Sequence, residues 1–162
     1  MSDSREMTER EMKEFVLGVY FRTQAAIEKY MGRERLPEWT EHVAQINANA
    51  TKRRSSDPEE LTRSVLSGLN SMLEVYGSDK TMSEEAGVWR LDVHHCGIWD
   101  YRENAQAQGV ELTLPAPCEF CVDLHYRTAA HLGVPVANEL GYRSCRWVAG
   151  ATGFPPQSGE GD

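Results

Sequence analysis

No apolar run in this chain approaches the ~20 residues of a helix that crosses a bilayer, so no membrane partner is expected. Positive charge is also scarce. The chain has 17 Lys and Arg against 25 Asp and Glu, a net charge of −8, whereas a nucleic-acid binder carries a basic patch. Its one basic cluster, Lys52-Arg53-Arg54, sits in a polar stretch and reads as solvated charge. The N-terminal M-S-D-S-R-E-M-T-E-R-E lacks the apolar stretch of a secretory signal, which points to the cytoplasm, where thiols stay reduced. The first half of the chain has no cysteine. All four cysteines and four of the five histidines fall in the second half, so any chemistry is expected there.

At 162 residues, 40% hydrophobic and 26% charged, the chain suits one soluble domain with its own core. That domain is expected over 1–149, with a Gly- and Pro-rich flexible tail over 150–162. No internal repeat is visible. A capping box at Thr8 and Glu11 opens a helix whose apolar positions Met12, Phe15, Val16, Val19, Ala26, Ile27 and Tyr30 should face the core. A second helix should start near Pro37 and carry Trp39, Val43 and Ile46 inward, running out into a loop at N-A-N-A-T-K-R-R-S-S. In the third, Asp57 caps, Pro58 takes the first position, and Leu61, Val65, Leu66, Leu69, Leu73 and Tyr76 form the stripe up to Gly77.

The period then changes from helical to alternating. In V-W-R-L-D-V-H-H-C, Trp89, Leu91, Val93 and His95 fall on one face of a half-buried strand. A short helix is expected from Gly97 to Gln108, closed by Gly109, and Pro115 with Pro117 forces an extended approach to the next one. That helix, C-E-F-C-V-D-L-H, should end near Gly133 and be followed by a hairpin of V-P-V-A-N-E-L and S-C-R-W-V-A around Gly141. The fold class is α+β, with N-terminal helices packed on a small antiparallel sheet and one helix bearing cysteines.

Cys118, Cys121 and His125 share one helical face at i, i+3 and i+7. Cys118 opens its helix, where free amides and the dipole favour a thiolate; a lone cysteine is more commonly a small buried hydrophobe, but a C-x-x-C with a histidine on the same face favours function. Cys96 and His95, in V-H-H-C-G, are candidate neighbours, with a buried structural histidine the competing reading of His95. Soft thiolate and imidazole donors suit zinc or iron, making Cys118, Cys121, His125, Cys96 and His95 the candidate metal ligands. No zinc module is spelled out, since a zinc ribbon needs two C-x-x-C knuckles and the chain has one. A thioredoxin-like redox pair lacks its β-α-β context. No nucleotide cofactor is expected.

From about 88 to 148, a strand ending in Cys96, the helix-opening Cys118 and a closing strand with Cys145 after a glycine, in L-G-Y-R-S-C-R-W-V, carry a family pattern. In these features the chain resembles the L-2-amino-thiazoline-4-carboxylic acid hydrolase-like family and, more distantly, the 4-vinyl reductase domain family. The resemblance implies an α+β domain whose spaced cysteines gather at one pocket walled by the preceding helices. It also implies a hydrolase acting on a carbon flanked by heteroatoms in a small molecule. Cys121 stands where the pattern places an acidic residue, and His94 and His95 are additions to it.

Two mechanisms fit that chemistry. Cys118 attacks while His95 or His125 moves the proton, or a thiolate-held metal activates water. Arg90 and Arg143, with Arg127 and Arg146 behind them, are candidates to bind a substrate carboxylate. The alternative function is a metal- or small-ligand-binding module, sensory or structural, without catalysis. The expected partner is a small-molecule substrate; assembly into a homo-oligomer is left open.

Overall fold

The computed structural model describes residues 8–110 and 117–150, apart from a few side chains of the first helix and that of Pro117. The expected flexible tail, Gly150 excepted, and the extended approach at Pro115 lie outside the described residues. Helix α1 spans Glu9–Met31, and its capping box forms as read: Thr8 Oγ accepts from the Glu11 amide while the Glu11 carboxylate accepts from the Thr8 amide. Of its described stripe, Ile27 packs partly buried against Leu36, Ala44, Phe120 and Leu124, and the rest lies outward. Met12, Phe15, Val19 and Tyr30 are 46–79% exposed, and α1 instead buries Gln24. The reason is placement: among the described residues α1 meets chiefly the 3-10 turn Arg33–Arg35 and α2.

Helix α2 runs Leu36–Arg54, so the stretch expected to be a loop is helical through Arg54. Trp39 and Val43 pack inward as expected, but they are only partly buried and Ile46 is not inward. Leu36, Thr40, Ala44 and Ala48 are buried at i, i+4 spacing, while Ile46 is 53% exposed. Small residues at that spacing let α2 lie close against α5, and the sequence signal for this stripe is weak because alanine scores little as a hydrophobe.

Helix α3, Pro58–Val75, is capped by Asp57 accepting from the Glu60 amide, and it buries Val65, Leu66, Leu69 and Leu73. At its end Gly77, at φ 71°, lets the Ser78 amide reach back to the Leu73 carbonyl at 3.0 Å.

Strand β1, Asp79–Glu85, was not expected, because D-K-T-M-S-E-E is an exposed polar edge with only Lys80 and Met82 half-buried. It pairs antiparallel with β2, Val88–His95, through the two-residue turn Ala86-Gly87, both at positive φ. Helix α4, Gly97–Ala107, and helix α5, Pro117–Leu132, follow, and then the hairpin of β3, Val136–Gly141, and β4, Ser144–Ala149. The sheet order is β1-β2-β4-β3, antiparallel throughout, and the fold is α+β.

Helices α3 and α5 cover the apolar face of the sheet. Leu66, Leu69, Leu73, Leu91, Val93 and Trp147 meet there in the main core. On the opposite face Arg146 pairs with Asp92 at 2.6 Å beside solvent. A second core of Leu36, Ala44, Phe120 and Leu124 joins α2 to α5, with Trp39 stacked on Phe120 at 5.1 Å.

Candidate functional site

All four cysteines line one small cavity between α3, the end of β2, α4, α5 and β4. Each arrives by a different local device. Cys118 and Cys121 lie in the first two turns of α5, three residues apart and therefore on one face. Cys145 is on β4, opposite Val93 in register and on the same face as the buried Trp147.

Cys96 owes its inward position to a break in alternation. The β1–β2 register shifts between Asp79 and Lys80, so that His95 pairs with Asp79 while Val93 pairs with Lys80, and His94 is the extra residue. Past that bulge Cys96 turns into the core, 8% exposed. The same break overturns the expectation for His95. It points outward, about half exposed, with Nε2 2.7 Å from the Asp100 carboxylate, and it is not with Trp89 and Leu91.

Gly97 makes the next step possible. A Cβ there would land against the Tyr76 carbonyl, and its amide donates to Ser78 Oγ at 2.9 Å, so α4 starts flush against the end of α3.

The cavity holds about 20 Å³, room for roughly one water molecule. Its walls include Leu69, Leu73, Ile98, Trp99 and Trp147. Burial among these apolar groups pushes the Cys96 thiol up, pushes Cys145 up to about 12, and pushes Cys121 well up. Neighbouring thiols add to the effect. These three side chains are therefore protonated at neutral pH. Cys118, half-buried in the first helical turn, makes no hydrogen bond among the described residues. Arg102, buried on α4 and missed in the sequence reading, lies within electrostatic range of Cys118 and Glu119. Nothing in its local sequence distinguishes it from a surface arginine; only the packing of α4 beside α5 brings it in.

His125 is 7% exposed. Its Nδ1–H is donated to the Cys121 carbonyl at 2.7 Å, with Cys121 Sγ 3.9 Å away and the Trp147 ring beside it. Burial lowers its pKa, leaving a neutral imidazole. It does not bond Cys118, two turns away, and its ring lines a separate groove on the far side of α5.

Among the described residues no three His, Cys, Asp or Glu side chains are grouped to hold a metal ion. The five expected ligands do not gather as a set, since His95 lies outside and His125 faces away. The arginines are largely committed elsewhere. Arg143, at φ 52°, pairs with Glu103 and with Asp100, and Arg127 bridges Glu41 and Asp123. Arg146 binds Asp92, and Arg90 is exposed on the outer face of β2. The candidate site is therefore a thiol-lined cavity with the buried Arg102 guanidinium within electrostatic range of Cys118. Among the described residues no helix is long and apolar enough to cross a membrane.

No family model matches the chain, and no curated protein matches it.

Proposed function

We propose that the protein is a small-molecule hydrolase acting on a C–N or C–S heterocycle, with Cys118 as its reacting thiol. The observation that supports this reading is the convergence of the four cysteines on one cavity, where burial keeps three protonated and Cys118 alone occupies a helix start. Cys118 lies in the first turn of α5, half-buried and within range of the Arg102 guanidinium. In this reading the Cys118 sulfur adds to the carbon between the heteroatoms and the ring C–N or C–S bond breaks. The departing heteroatom takes a proton, and water then releases the product and restores the thiol. His125 lines the separate groove and His95 lies outside the cavity, so in this reading the proton is exchanged with water.

A second reading, a metal- or small-ligand-binding module without catalysis, is favoured by the size of the cavity, which matches one water rather than a substrate. Four thiols are a suitable donor set for zinc or iron, but their arrangement here does not form a ligand group, so no step is routed through a metal.

One experiment separates the two. Turnover of L-2-amino-thiazoline-4-carboxylate and metal content by mass spectrometry are measured on the wild type and on Cys118→Ser. Turnover lost with folding intact and no metal change supports the hydrolase. Metal bound by the wild type and lost in the variant, without turnover in either, supports the binding module. Neither turnover nor metal in the wild type defeats both.

A further inference from the structure

We propose that the groove between α2, α3 and α5 is a binding site for a small neutral polyol, a sugar or cyclitol, separate from the thiol cavity. Its volume is about 580 Å³, within the range of small-molecule sites. The groove exists because the facing helices carry small side chains where a closed core would carry leucine. Ser64, Ser67, Gly68 and Ser71 face it from α3, and Asn47 and Thr51 from α2. Leu66, Leu69 and Leu73, on the other side of α3, are fully buried, so the small residues are confined to the groove face.

Two observations point to an occupant. His125 is more than nine-tenths buried and lines the groove. With Nδ1–H donated to the Cys121 carbonyl, Nε2 is an acceptor that meets no hydrogen-bond partner among the described residues. Gly68 sits in the interior of α3, where glycine destabilises a helix relative to alanine, yet a Cβ there would meet nothing within 4 Å. Nothing inside the fold requires that glycine, and the space above it is open to a ligand.

The lining selects the chemistry by what it would leave unpaired. An apolar ligand would strand the His125 acceptor and a row of hydroxyls away from water. A charged ligand would meet a neutral imidazole and neutral hydroxyls on the floor, with Arg54 and Glu60 on the rim cancelling each other. A hydroxylated ring with an apolar face satisfies both halves. Its hydroxyls pair with His125, Asn47, Thr51 and the serines, and its face rests on Val65, Leu124 and Leu132.

The test is an NMR titration of the full chain with D-glucose, D-ribose and myo-inositol, read at the His125 Cε1–H and the Gly68 amide, repeated with Gly68→Leu and Ser71→Leu. At least one polyol is expected to give saturable shifts at both positions in the wild type. Both variants fill the groove from its open side and should weaken that binding at least about tenfold while unfolding at or near the wild-type temperature. The proposal is overturned if none of the three polyols gives saturable shifts at these positions in the wild type. It is equally overturned if the folded Gly68→Leu and Ser71→Leu proteins bind as tightly as the wild type does. Turnover plays no part in the readout, so the outcome is independent of the role of Cys118.

Discussion

The Nδ1–H of His125 is donated to the carbonyl oxygen of Cys121, 2.7 Å away and one turn earlier on the same helix. This bond fixes the tautomer of a histidine that stands between the thiol cavity and the α2–α3–α5 groove. Burial lowers its pKa below the ordinary 6.5. Between the two values the unfolded chain binds more protons than the folded one, so stability falls as the pH drops through that window. Thermal melts from about pH 7 to pH 5 should therefore show a decline in Tm that is shallower in His125→Gln. Parallel curves would mean that His125 is not the buried neutral group described.

Glu41 acts in a lower range. Hydrogen bonds from Arg127, then His131 and Gln45, hold its carboxyl at about 2, and in doing so they tie α2 to α5. A depressed carboxyl contributes stability above its unfolded pKa of 4.5 and loses it as the pH falls towards 2. Urea melts of Glu41→Gln should show a smaller loss of stability over that acid range than the wild type.

Gly97 is the tightest backbone approach beside the site. In Gly97→Ala the new methyl would press on the Tyr76 carbonyl, and separating α4 from α3 to relieve it should cost about 1–3 kcal/mol. Chemical denaturation measures this directly. Unchanged stability would show that the junction has slack.

Thiol reactivity should follow burial. Under brief iodoacetamide treatment at neutral pH, peptide mass spectrometry should find Cys118 alkylated ahead of Cys96, Cys121 and Cys145, whose thiols burial keeps protonated. Faster labelling at Cys121 or Cys145 would remove the basis for choosing Cys118.

The exposed stripe of α1 makes an opposite kind of prediction. Phe15→Glu should leave stability within about 0.5 kcal/mol of the wild type, because the ring is 58% exposed. A large loss, measured by thermal or urea unfolding, would mean that the stripe is covered after all.

Much of the fold was legible in the sequence because its signals are local. The Thr8–Glu11 box, the Asp57-Pro58 start, the glycines at 77, 109 and 133, and the alternation of Leu91 and Val93 each depend on residues within a turn or two of one another. Strand β1 was not legible, since a polar edge strand is selected by its partner across the Ala86-Gly87 turn rather than by its own hydrophobicity. The Ala44 and Ala48 contact on α5 was equally silent, because close helix approach rewards small size and leaves no apolar signature.

By itself the sequence determined that Cys118, Cys121 and His125 ride on one helix, since helical spacing is a property of the chain alone. Tertiary structure decided which of them meet. A one-residue bulge at His94 sends His95 outward to Asp100 and Cys96 inward, a strand register brings Cys145 to the cavity, and the packing of α4 brings Arg102. Residues that share a helix face still part company when different layers cover successive turns. Cys118 and Cys121 therefore face the four-cysteine cavity, while His125, one turn further on, faces the groove.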